Sequence, residues 1–147
     1  MKTLIYGYGN PGRQDDGLGP ACVEVIGEWL KMQNLTNIEI DCNYQLNIED
    51  AERISEIDKV IFVDATIEPI EDCLMTKVEP GNNYIEFTMH AVSPAYVLAL
   101  CQKIFHKTPE TYLLHIKGYE FELIEELTTK AKQNLEKAVE FLKKELM

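Results

Sequence analysis

The sequence predicts an α/β layered fold built on a mostly parallel β-sheet. Three observations lead there. Apolar runs of strand length alternate with segments of helical periodicity along the whole chain. Val60-Ile61-Phe62-Val63 is continuously apolar rather than alternating, as a parallel strand covered on both faces requires. No repeat, low-complexity stretch or linker interrupts the 147 residues, so residues 1–147 are expected to form one domain.

The elements follow in order. Thr3–Tyr6 is a short apolar run cut off by Gly-Tyr-Gly-Asn-Pro-Gly, and predicts a buried strand ending in a tight loop. From Asp15 or Asp16 onward, Leu18, Ala21, Cys22, Val25, Ile26, Trp29 and Leu30 recur at three- and four-residue intervals. That spacing predicts an amphipathic helix capped by an aspartate, Asp15 being the expected cap, with Pro20 tolerated in the first turn. Asn37–Asp41 alternates like a second strand, and Ile48–Ile57 has helical spacing with Asn47 as its expected cap. Val60–Val63 is the third strand, closed by Asp64. Cys73–Val78 and Tyr84–Phe87 are weaker strand signals around Pro80-Gly81-Asn82. Ser93-Pro94 reads as a helix cap with proline at the first helical position, leading into Ala95–Phe105. Thr111–Ile116 is a further strand. Ala131, Leu135, Ala138, Val139 and Leu142 mark the buried stripe of a terminal helix, with Lys143 and Lys144 at the negative end of its dipole.

Fourteen basic against twenty-five acidic residues give a net charge of -11, which opposes binding to nucleic acid phosphates or to anionic lipid. The start, Met1–Gly7, has neither the apolar length of a signal peptide nor that of a membrane helix. A cytoplasmic protein is expected. Cys22, Cys42, Cys73 and Cys101 form no CxxC pair, and predict reduced core thiols rather than a zinc site.

Two groups of residues could carry chemistry. Gly7-Tyr8-Gly9-Asn10-Pro11-Gly12 matches G-x-G-x-x-G after a strand, the pattern of dinucleotide sites. Pro11 removes a backbone donor, however, and Asp15 and Asp16 place carboxylates where a diphosphate would sit, so a nucleotide is disfavoured. The second group is Asp16 after the first strand, Asp64 at the end of the third and His90 before the Ser93-Pro94 helix. With strand order 2-1-3, strands one and three are neighbours, and ligands bind where the order switches. Two carboxylates and an imidazole suit a divalent cation such as nickel or zinc, or acid–base work if crowding raises one pKa. Each also has a structural reading as a cap, a strand end or a solvated residue. His106 reads as a solvated helix end and His115 as a packed or edge residue of a strand.

The wording of the segments adds a resemblance. Gly7-Tyr-Gly-Asn-Pro-Gly-Arg-Gln-Asp-Asp-Gly-Leu-Gly19 closely resembles the signature G-x-G-N-x-x-x-x-D-D/E-G-x-G of the nickel–iron hydrogenase maturation endopeptidases. Val60–Ala65 is similar to that family's second motif, a buried strand closed by Asp-Ala, and Thr88-Met89-His90 to its third. The resemblance implies a three-layer fold, a twisted mostly parallel sheet sandwiched between helices, of the phosphorylase/hydrolase-like type. It implies Asp16, Asp64 and His90 as ligands of a divalent metal. It also implies a single cleavage of a hydrogenase large-subunit precursor after nickel insertion. It implies further that the nickel is presented by the substrate, that no organic cofactor takes part and that the enzyme is a monomer. One loop departs from the pattern. Where the family commonly carries Asp-Gly-Gly/Cys-Thr, this chain has Asp41-Cys42-Asn43-Tyr44-Gln45-Leu46, and its Gln45-Leu46 with Glu49 resembles the subgroup serving soluble, multi-subunit cofactor-reducing hydrogenases. A non-catalytic assembly chaperone would use the same contacts, and the residues alone do not separate it from a protease.

Overall fold

A computed structural model describes residues 1–81 and 92–147. Among these, five strands form one sheet in the order β2-β1-β3-β5-β4. The strands are β1 (Thr3–Tyr8), β2 (Ile38–Asn43), β3 (Lys59–Thr66), β4 (Cys73–Lys77) and β5 (Glu110–Lys117). The helices are α1 (Leu18–Gln33), α2 (Asp50–Ser55), α3 (Pro94–Phe105) and α4 (Thr129–Leu146). β1, β2, β3 and β5 run parallel, and β4 lies antiparallel on β5 at one edge. The sequence-expected α/β class and mostly parallel sheet are therefore present. The expected strand Tyr84–Phe87 falls outside the described residues.

Side-chain alternation in the central strands explains the three layers. Leu4, Tyr6 and Tyr8 of β1 and Val60 and Phe62 of β3 point to one face, where Ala51 and Ile54 of α2 and Val97, Leu98 and Cys101 of α3 cover them. Ile5, Ile61, Val63, Leu114 and Ile116 point to the other, beneath Leu18, Cys22, Ile26 and Leu30 of α1 and Ala131, Ala138 and Leu142 of α4. Burial on both faces is why β3 needs a continuous apolar run. Cys22 and Cys101 lie in these cores as expected, but Cys42 is exposed and Cys73 half-buried. All four thiols are free. Ser93 caps α3 and Thr128 caps α4, each accepting a hydrogen bond from the backbone N–H three residues on.

Three local expectations are corrected. α1 begins at Leu18, not at Asp15 or Asp16, because Pro11–Gly17 forms a separate 3-10 segment kinked at Arg13 and Gln14. Its cap position is Gly17, which offers no side-chain acceptor, so Asp15 does not cap it. α2 is shorter than Ile48–Ile57 and follows Glu49 rather than Asn47; the Asn47 N–H instead donates to Asp50 Oδ2 at 2.8 Å. Asp64 lies inside β3, which continues to Thr66, rather than closing it. No helix among the described residues is long and apolar enough to cross a membrane.

The approach of α1 to the sheet depends on Gly19. A Cβ there would lie 2.5 Å from the Val63 carbonyl oxygen and 2.6 Å from that of Tyr8. Both are backbone atoms of central strands and cannot yield. Gly19→Ala should therefore lower stability by about 2–3 kcal/mol through forced displacement of the helix, read as a lower urea midpoint at unchanged m-value.

Candidate active site

The site is built at the C-terminal ends of β1 and β3, where the chain leaves β1 toward β2 on one side and later returns to β3 on the other. In sheets of this kind ligands bind where the strand order reverses. Gly9 turns the chain out of β1 with φ +143°, and any Cβ at this position would collide with the Asp16 carbonyl oxygen. Only glycine fits. The Asn10 side chain accepts from Gly12 N at 2.9 Å, and its own N–H donates to Asp16 Oδ2 at 2.8 Å. The loop thus wraps around Asp16 and holds one of its oxygens.

Asp15 and Asp16 are adjacent but have different tasks. Asp15 is fully buried. Its Oδ2 accepts from Tyr119 N at 2.7 Å, Glu120 N at 3.2 Å and Thr128 Oγ1 at 2.8 Å, and its Oδ1 from Thr128 N at 2.8 Å. Both oxygens are consumed in tying the segment between β5 and α4 to the 3-10 segment. Gln14 adds a backbone bond to Ile124 O at 2.8 Å and accepts from Glu122 N at 3.0 Å through its side chain. It holds φ 48°, ψ -116°, an uncommon backbone region for a non-glycine residue. Asp16 lacks this network and is 8% exposed.

Asp64 occupies the same sheet face as Val60 and Phe62 by strand alternation, beside Tyr8 of β1. Its Oδ1 is buried and has no hydrogen-bond partner among the described residues. Burial pushes its pKa up to about 7; the neighbouring Asp16 charge adds to the rise, while Tyr8 and the Ala65 backbone N–H oppose it. Tyr8 is raised well above its ordinary value, chiefly by burial and then by Asp64. Asp64 thus lies within reach of the Asp16 charge. His90 lies outside the described residues, and among those described no cluster of three potential ligands could hold a metal ion. His115 is paired in register with Asp64 across β3 and β5, is half-buried, and its Nε2 lies 3.0 Å from Thr76 Oγ1. His106 ends α3 in the left-handed conformation and is exposed.

Sequence reasoning overlooked Tyr8, although its signal was available in the Leu4, Tyr6, Tyr8 alternation on the face shared with β3. The tether made by Asp15 left no signal, because its partners lie more than a hundred residues away.

Compared by sequence, the chain matches no family model and no curated protein. Compared by structure, it superposes on the hydrogenase maturating endopeptidase HybD from E. coli with a TM-score of 0.80 at 20% identity, covering 97% of this chain and 90% of that one. It superposes on the [NiFe] hydrogenase maturation protease HycI from Thermococcus kodakarensis KOD1 with a TM-score of 0.77 at 21% identity, covering 96% and 89%. The fold is that of the hydrogenase maturation proteases. A hydrogenase 2 maturation peptidase from Thaumarchaeota archaeon SCGC_AB-539-E09 shares it too, with a TM-score of 0.69 at 20% identity over 99% of this chain and 98% of that one. The maturation-protease fold therefore accounts for nearly all of the chain, the segment carrying Asp15 and Asp16 included.

Two expectations separate the paired aspartates from Asp64. Asp15→Asn turns an amide donor toward converging donors, and should cost more than about 3 kcal/mol in urea unfolding. Asp16→Asn keeps an acceptor for Asn10 N, and should cost less than about 1 kcal/mol. Asp64 is protonated in the folded state between its ordinary value of 3.8 and about 7, whereas the unfolded chain is ionised there. Its contribution to stability is therefore full below about pH 4 and is lost as pH rises through 7. Asp64→Asn removes that loss. In chelator, its melting temperature should match the parent near pH 4 and exceed it at pH 8, by the equivalent of about 3 kcal/mol.

Proposed function

We propose that this chain is an endopeptidase that removes the C-terminal peptide of a [NiFe] hydrogenase large-subunit precursor after nickel insertion, acting as a cytoplasmic monomer. The observation that carries the reading is Asp64 with Asp16 at the switch of strand order: a carboxylate with one buried, unpartnered oxygen, within reach of a second acid's charge. Burying an ionised carboxylate without a partner is costly, and a divalent cation offered from outside would relieve that cost. Oxygen donors from two carboxylates suit nickel whose remaining positions are held by the precursor's own cysteine thiolates. Support for peptide cleavage comes from the shared fold and from the motif carrying Asp16.

In this reading Asp64 and Asp16 recognise the precursor's nickel through their side-chain oxygens, and His90 supplies an imidazole as the resemblance implies. Asn10 positions Asp16 through its backbone N–H. Tyr8 lies beside Asp64 and helps fix the carboxylate's orientation. Docking the nickel would hold the adjacent scissile peptide in one place, and that loss of freedom is itself a large part of the barrier to hydrolysis. A precursor without nickel brings no cation for these residues to bind, and its tail is not registered.

The test mixes purified protein with nickel-loaded and nickel-free precursor and follows precursor mass. Loss of a C-terminal peptide from the loaded form alone is expected. Asp16→Asn and Asp64→Asn should each slow that loss by about 100-fold or more, with the fold retained. His90→Ala should weaken nickel-dependent binding. Binding without a mass change would replace the protease by an assembly chaperone, and cleavage regardless of nickel would remove the metal check.

A further inference from the structure

Beside the carboxylate pair lies a cleft that the proposed chemistry does not use. Gly9, Pro11, Pro20, Cys42, Asn43 and Tyr44 line a space of about 220 Å³ with mainly apolar walls. A cavity of about 150 Å³ already accepts a benzene-sized group, so one aliphatic or aromatic side chain fits. The cleft adjoins the loop that holds Asp16. Gly9 packs directly under the Asp16 backbone, and the intervening Asn10 donates to the Asp16 carboxylate. Its outer wall is Tyr44, which leaves 69% of its surface exposed at the end of edge strand β2.

The chemistry of the edge limits how a peptide can bind there. Gly9 N donates to Asn43 O at 3.0 Å, which occupies the inward side of β2. The N–H groups of Cys42 and Tyr44 are engaged by the side chains of Asp41 and Asn43, each at 2.8 Å. This end of β2 therefore has few donors left for an added strand, and recognition falls to side-chain packing. A second cleft that shares Pro11 and Pro20 carries Glu24, Glu125 and Glu126, and so differs from this one in bearing three acids.

We infer that the Tyr44 cleft is a specificity subsite that takes one apolar side chain of an extended peptide substrate, next to the carboxylate pair. Tyr44 acts as a positioning residue: its ring closes the subsite and sets which residue of the peptide is held beside Asp16. The inference rests on the peptidase reading for its catalytic consequence, but not for binding itself.

Cys42 provides a direct probe, because it is the exposed cysteine among the four and lines the cleft. Its alkylation by iodoacetamide, located by peptide mapping, is followed with the whole protein in the presence of acetyl-Gly-Leu-Gly-amide or acetyl-Gly-Gly-Gly-amide at millimolar concentration. The leucyl peptide should slow alkylation several-fold and the glycyl peptide should not. Tyr44→Ala should abolish the protection and Tyr44→Phe should keep it. Equal protection by both peptides, or none by either, overturns the subsite. In the precursor assay, Tyr44→Ala should raise KM roughly tenfold with kcat nearly unchanged, as loss of an apolar contact made equally in ground and transition states predicts. An unchanged KM also overturns it. If the parent protein cleaves no precursor, the peptidase reading fails by itself, and the alkylation result still decides the subsite.

Discussion

Four donors from Tyr119, Glu120 and Thr128 converge on the two oxygens of Asp15, a carboxylate with no exposure to solvent. Around that convergence the upper end of the molecule is organised. The 3-10 segment cannot slide or unwind without stranding the carboxylate, so the next residue, Asp16, is held at one place above β1. Thr128, whose hydroxyl also accepts from Ala131 N, carries the constraint into the first turn of α4. α4 and α1 then close one face of the sheet together. A buried carboxylate with every bond satisfied rigidifies; the same group left incomplete would be a serious liability.

Asp64 shows the opposite use of burial. Its strand is fixed on both sides by β1 and β5, and its neighbours Phe62 and Val63 are fully buried. Its Oδ1 is buried and without a partner among the described residues. The fold thus spends stability at Asp64 that it recovers elsewhere, a pattern expected where a residue is kept ready for an external ligand. Two adjacent acids and one distant acid are sorted by environment alone: Asp15 is a brace, while Asp16 and Asp64 lie at the switch of strand order.

Much of this was legible in the sequence. Continuous apolar character in Val60–Val63 identified a doubly covered parallel strand, and the Ser93-Pro94 pair located the start of α3 to the residue. The neighbouring of β1 and β3, on which the expected site rests, followed from the alternation of strands and helices. Other features were hidden for physical reasons. Helical spacing from Leu18 to Leu30 gives no signal for where the first turn begins, and a polar, proline-containing 3-10 segment looks like an ordinary capped start. The distinction between Asp15 and Asp16 depends on partners around residues 119–128, which no local pattern reveals. The extent of β3 beyond Asp64 was missed because hydrogen bonding to β5, rather than hydrophobicity, continues the strand through Thr66.

The tether from Asp15 also has a consequence for how the molecule comes into being. Its partners are 104 to 113 residues further along the chain. Contacts so distant in sequence form late, because the intervening chain must first be ordered. A ribosome that has made the first hundred residues has released Asp16 and Asp64 but not the segment that locks Asp16 in place. The nascent chain therefore carries both acids without the arrangement that makes them a site. The bracing of Asp15, and with it the placement of Asp16, is completed only once residues 119–128 have been made and have emerged to pair with it.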